Sequence, residues 1–331
     1  MARDTKISWT AIVDRDGRAY RGATWNYIRG CKEVTLGEHG ECNHCYAVSL
    51  AHRMASNPNA KVAALFAGLT APDEQGVMRW TGQVNVSEAH LWTPLSWQQP
   101  SGIFVNSLSD WAHASIEDSL TDQAFAVMAL TEGRHIYQLL TKRPNAMRRY
   151  MNRDGLRERI RAAQEVIIET IPAARKLKVN HAWPLTNVWL GVSVGHADAA
   201  YRLDQLLAVQ GDWVRWVSAE PLLSQLDLRP WLPGGGVANA YQQHLDWIVG
   251  GGESQDGSRP CAAAWARDVR DQTVATGVPF FWKQWGDWLP ASQGGAGEKP
   301  TVELGDELSY RVGKHNAGAL LDGVTWAQYP I

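Results

Sequence analysis

The sequence is poor in most features that would classify it quickly. Four cysteines in 331 residues exclude a disulfide framework. There is no secretory signal and no long apolar run, so no membrane partner is expected and a cytoplasmic protein is. The formal net charge is only -2, so the field of the whole molecule does not draw nucleic acid, and such a partner needs a local basic patch. Phenylalanine is scarce, five against 17 tryptophans. Indole suits both core packing and stacking on flat ligands, and core packing is the commoner fate. What is present is a chain 45% hydrophobic, long enough to bury a large α/β core.

Eight short apolar runs punctuate the chain: "TWNYIRG" (24–30), "GQVNVS" (82–87), "GIFVNSLSD" (102–110), "HIYQLLTKR" (135–143), "NVWLGVSV" (187–194), "VRWVSAEPLL" (214–223), "LDWIVGGGES" (245–254) and "VPFFWKQWG" (278–286). Most precede a stretch with helical periodicity, notably 117–133, 196–211 and 261–277. Near-continuous apolar strands alternating with helices predict a parallel sheet buried on both faces. Eight such units predict a (β/α)8 TIM-type barrel, closed or partly open, spanning 1–331 as one domain. The alternative is an open doubly wound sheet with two accessory strands. Residues 46–80 read as a helical insertion and 289–331 as a C-terminal extension. The stretches 233–240 and 291–300 read as loops.

In such a barrel, chemistry collects at the C-terminal strand ends. Those ends read Cys31; Ser107, Ser109 and Asp110; Thr141, Lys142 and Arg143; Ser193; Ser218 and Glu220; Glu253 and Ser254; Lys283 and Gln284. Some would serve as caps or solvated loop residues. Together they predict a polar, ligand-filled mouth, because unpaired buried charge is costly.

Three of the four cysteines sit in "GCKEVTLGEHGECNHCYA" (30–47). Two metal readings compete. Cys31, Cys42 and Cys45 with His39 or His44 would complete a Cys3His zinc site. Alternatively, three thiolates hold three irons of a [4Fe–4S] cluster and leave one iron open. Placement after the first strand favours the cluster. Cys261, far away, reads as structural.

A cysteine triad after the first strand of a barrel resembles the radical S-adenosylmethionine (SAM) superfamily. The spacing of Cys42 and Cys45 fits its motif, and His44 takes the position usually held by an aromatic. The ten residues between Cys31 and Cys42 exceed the usual three. The blocks "TWNYIRGC", "CNHCYA", "IFVNSLSDWAH", "QLLTKRP", "NVWLGVSV", "SAEPLL", "GGES" and "FFWKQWG" are similar to an outlying family of phage and bacterial three-cysteine proteins. The resemblance implies that Cys31, Cys42 and Cys45 ligate a [4Fe–4S] cluster whose open iron takes SAM. It implies reductive cleavage of SAM to a 5′-deoxyadenosyl radical, with an electron donor such as flavodoxin or ferredoxin. Ser107, Ser109, Asp110, Lys142, Ser193, Glu220 and His44 become candidate cofactor contacts. Gly191, Gly195 and Asp198 loosely match a glycine pattern near the adenine. Glu253 and Lys283, on late strands, become candidate catalytic residues facing substrate. The superfamily's Gly-Gly-Glu role is not carried to "GGES", which follows a late strand.

Residues 142–161 hold eight Lys or Arg against two Asp or Glu. Such a segment can track phosphates or be a solvated helix face. Trp111, Trp282, Trp285 and Trp288 are candidates for base stacking. With the family's phage association, these features point to a nucleobase-linked substrate in DNA or a modified nucleotide, in the host cytoplasm if the chain is phage-encoded. One expected reaction is isomerisation of an amino-acid adduct on thymidine. DNA-lesion repair and RNA or peptide modification are the alternatives within enzymes. A non-catalytic zinc-stabilised nucleic-acid-binding protein is the alternative outside them.

Overall fold

A computed structural model describes residues 4–34, 37, 39–236, 243–297 and 301–331. The main sheet has eight strands: β1 (Ile12–Val13), β2 (Ala19–Thr24), β3 (Ser101–Val105), β4 (His135–Thr141), β5 (Val188–Ser193), β6 (Val214–Ala219), β7 (Trp247–Gly250) and β8 (Phe280–Trp282). They are hydrogen-bonded in that same order. The pairs β2–β3, β3–β4, β6–β7 and β7–β8 are parallel, whereas β1–β2 is antiparallel.

This architecture corrects the expected (β/α)8 TIM-type barrel. The strand order begins at β1 and ends at β8, and these two do not pair with each other. The sheet is open. Closure requires a full ring of tilted strands in consistent register, and two of the eight expected runs do not enter the main sheet as staves. "GQVNVS" yields only Asn85–Val86, paired antiparallel with Ile28–Arg29 outside the main sheet. The first parallel strand is Ala19–Thr24, upstream of the apolar run at 24–30, and only its second half is buried. Its sequence, "AYRGAT", therefore lacks the continuous apolar character that marks the others. In the place of an eighth parallel strand stands the two-residue antiparallel β1. The other six runs supply β3 to β8.

Contacts divide the chain into two compact units. The first comprises 1–34, 45–190 and 209–213, and the second comprises 35–44, 191–208 and 214–331. In the first, the segment expected to be helical forms the helix Asp118–Leu130, and every residue from Ala124 to Leu130 is buried, where periodicity alone predicts a single buried face. Phe125 meets the Trp111 ring edge-on at 6.0 Å and the Tyr150 ring at 5.6 Å. Asp122 anchors this contact by accepting from the Tyr150 hydroxyl (2.8 Å) and from Arg159 Nε (2.9 Å). Residues 46–80 form the helices Tyr46–Ala55 and Ala60–Ala64 and the hairpin Thr70–Pro72/Met78–Trp80.

In the second unit tryptophans pack within the core. Trp216 and Trp247 lie 5.3 Å apart, and Trp282 meets Trp285 at 4.8 Å. Beyond β8, the strands Trp288–Pro290, Thr301–Leu304 and Glu307–Arg311 form an antiparallel sheet. Of the two loop-like stretches, 237–240 and 298–300 lie outside the described residues, as do 35, 36 and 38 in the long cysteine gap. Among the described residues, no helix is long and apolar enough to cross a membrane.

Candidate functional site

In the first unit, a polar network links the C-terminal ends of β3 and β4. Asp110, buried, is its centre. Its Oδ1 accepts from Thr141 Oγ1 (2.6 Å) and the Ala112 amide (3.0 Å), and its Oδ2 accepts from Arg143 Nη1 (2.8 Å) and the Lys142 amide (3.0 Å). Arg143 also donates to the Lys32 carbonyl (2.6 Å) and reaches Cys31 Sγ at 3.7 Å. Strand ends that the sequence marked as polar thus converge on a cysteine.

Asn26, just past β2, braces the loop after β3. Its Oδ1 accepts from the Ser107 and Leu108 amides (2.8 and 3.1 Å), and its Nδ2 donates to Ser107 Oγ (2.9 Å). Ser109 Oγ donates to the Ile28 carbonyl at 3.1 Å. The hydroxyls of Ser107 and Ser109 therefore hold the loop in place, a role not read from the sequence. Gly30 has φ +99°, and a Cβ there would sit 2.1 Å from the Gln83 carbonyl oxygen. Only glycine lets the chain turn tightly into Cys31.

Cys31 and Cys45 both pack against one apolar cluster that includes Val48, Ala51, Phe66, Leu69 and Trp80. Burial pushes the Cys31 thiol up to about 12; Asp110 and Cys45 add to the rise, and Arg143 opposes it. Burial also lowers the pKa of His113, assisted by the Arg143 charge. Cys31, Cys42 and Cys45 are half-buried, whereas Cys261 is fully buried. Among the described residues, no three His, Cys, Asp or Glu side chains form a group set to hold a metal ion.

The second unit contains Cys42. Glu41, its neighbour, accepts from Arg202 Nη1 at 2.6 Å and from the Gly195 amide at 2.5 Å, with both side chains of the ion pair about 1% exposed. Sequence reasoning missed this pair. Charged residues are normally solvated, and nothing in the spacing connects positions 161 apart.

The same unit brings two candidates together. Lys283 Nζ donates to both oxygens of Glu220, at 2.6 and 2.8 Å, and Gln284 Nε2 donates to Glu220 Oε1 at 3.3 Å. Glu253 stands apart from this pair in its contacts. It is gripped by Arg259 through Nε (2.9 Å), Nη2 (2.7 Å) and the backbone amide (2.8 Å). Ser193 is buried, and its carbonyl accepts from Arg202.

The glycine pattern has a packing explanation. A Cβ on Gly191 would lie 2.3 Å from the Trp216 ring, and one on Gly195 would lie 2.0 Å from the Pro221 carbonyl oxygen. Asp198 belongs to the 3-10 turn Ala197–Ala199, where its amide donates to His196 Nδ1. Trp111, Trp282, Trp285 and Trp288 are all buried, so they serve the core and present no stacking face. In the basic segment, Arg153 pairs with Asp118, Arg159 with Asp122 and Arg161 with Glu165.

A family model described as "Protein of unknown function (DUF5131)" matches residues 5–330. No curated protein and no solved structure matches the chain.

Proposed function

The chain belongs to this family of unknown function, and we propose that it is a radical SAM enzyme. In this reading Cys31, Cys42 and Cys45 ligate a [4Fe–4S] cluster. The observation that supports it most is the convergence of Arg143 and Asp110, from parallel-strand ends, on Cys31, whose thiol shares an apolar shell with Cys45. Ligands of open α/β sheets bind outside the carboxyl ends of the strands, and these groups lie there.

Thiolate is the donor that such a cluster takes, and the three cysteines are half-buried. Arg143, 3.7 Å from Cys31 Sγ, would favour the thiolate form that a metal ligand needs. The bound cluster and SAM would supply the radical chemistry, while the protein binds, orients and shields them. Asp110 holds Arg143 in place. The Lys283–Glu220 pair offers a fixed ammonium and carboxylate within one unit.

The substrate class we propose is a nucleobase-linked group in DNA or a modified nucleotide. Isomerisation of an amino-acid adduct on thymidine is the specific reaction. The Arg153–Asp118 and Arg161–Glu165 pairs are exposed and worth little in water, so these two arginines can exchange carboxylates for phosphates.

Anaerobic reconstitution with iron and sulfide tests the reading. A brown protein absorbing broadly near roughly 400 nm is expected, yielding 5′-deoxyadenosine with SAM and dithionite. Cys42→Ala is expected to abolish that product. A colourless protein holding zinc would replace this reading with a zinc-stabilised nucleic-acid-binding module.

A further inference from the structure

The ten residues between Cys31 and Cys42 are the departure from the usual three-cysteine spacing, and the second unit shows where their far end goes. Gly40 and Glu41 are both buried, although they belong to a loop rich in Gly and Glu. Two arginines hold them. Arg202 Nη1 bonds Glu41 Oε2 at 2.6 Å and the Ser193 carbonyl at 2.7 Å, while the Gly195 amide donates to Glu41 Oε1 at 2.5 Å. Arg259 Nη2 donates to the Gly40 carbonyl at 3.0 Å, from a side chain already fixed by Glu253. On the far side of Cys42, a Cβ at Gly257 would lie 2.6 Å from His44 Cε1, so the 253–259 loop packs directly on the His44 ring.

A buried ion pair is a poor way to gain stability, because desolvating both charges offsets most of their attraction. Its best-attested use is to enforce one register. A ten-residue loop without such a hold would leave its end free to sample many positions, at an entropic cost to any ligand that must gather it. We propose that Gly40–Glu41 is a latch, closed by Arg202 and Arg259, that positions the Cys42 thiol before any metal binds. Glu41, Arg202 and Arg259 are positioning residues. The part of this inference that concerns iron rests on the cluster reading above; the part that concerns the thiol does not.

The test replaces the ion pair by apolar side chains of similar volume, Glu41→Met with Arg202→Met, a type of exchange that preserves folding in other buried pairs. In metal-free protein, iodoacetamide alkylation is followed for each cysteine by peptide mass spectrometry. Cys42 is expected to react about tenfold faster or more than in the wild type, as a locally opened segment does. Cys31 and Cys45 are expected to keep their rates and serve as internal references. In reconstituted protein, iron release to a ferrous chelator is expected to accelerate by a similar factor. A folded double variant with unchanged Cys42 alkylation overturns the latch. If the double variant does not fold, hydrogen exchange on the wild type decides. The Gly195 amide is expected to be protected, and exchange as fast as that of an exposed loop amide overturns the proposal. Failure of the wild type to take up iron would refute the cluster reading alone, since the alkylation arm would still report on the latch.

Discussion

Replacing Asp110 by Asn removes the charge on which two strand ends converge. Four donors meet its carboxylate at 2.6–3.0 Å. An amide offers a single acceptor oxygen, so two of the four donors would face an NH2 group whichever way it turned. Arg143 would keep its charge without the counter-ion. The Arg143 and Asp110 side chains are only 13% and 8% exposed, so water screens little of the loss. Breaking a buried pair from one side costs roughly 3–5 kcal/mol. Arg143 keeps its bond to the Lys32 carbonyl at 2.6 Å, which places the expected loss at the lower end, about 3 kcal/mol. Urea unfolding followed by tryptophan fluorescence should show it as a midpoint lowered by about 1 M for a slope near 3 kcal/mol/M. Adding Arg143→Met removes the orphaned charge, so the double variant should lose less than the sum of the singles, with a coupling of about 2 kcal/mol. A single-variant loss below about 0.5 kcal/mol, or strict additivity, would refute the view that this network ties β3 to β4.

Three further outcomes are expected. Asp322 is held well below the usual carboxylate range, first by its hydrogen bonds from Arg267 and then by Gln293 and Arg270, against the opposing effect of burial. Because its folded pKa is depressed, its contribution is complete above the unfolded value of about 4 and fades as pH falls further. Asp322→Asn should therefore be less stable than wild type at neutral pH and converge with it in acid; a constant gap across the titration would contradict the assignment. Gly191→Ala places a methyl 2.3 Å from the Trp216 ring and should cost about 1–3 kcal/mol by overpacking, read as a lowered melting temperature with an altered near-UV tryptophan signal. Cys42→Ala should retain the far-UV circular dichroism of the wild type, since its thiol is partly exposed, and collapse of that signal would show the cysteine to be structural.

Six of the main-sheet strands were legible because both faces are buried and the runs are nearly continuous in Val, Ile, Leu, Phe and Trp. The strand Ala19–Thr24 was not, since its first half meets solvent. That miss, with the short pairing at Asn85–Val86, is what made an open sheet look like a ring of eight. At the candidate site, polar residues at strand ends could be listed from the sequence, but their partners could not. The sequence suggests different roles for Lys283 and Glu220, and the structure pairs them. For Glu253 the structure adds a partner the sequence does not show, Arg259.

The sequence alone determined the cysteine triad, the alternation of strands and helices, and the polar character of the strand ends, because these depend on local composition and period. Whether the sheet closes was decided only in three dimensions, by the pairing of short segments whose composition barely differs from loop. The same holds for Glu41 and Arg202. Their burial is tolerable only because each supplies the other's counter-charge, and 161 positions of chain separate them. No local pattern encodes that meeting; the fold alone brings it about.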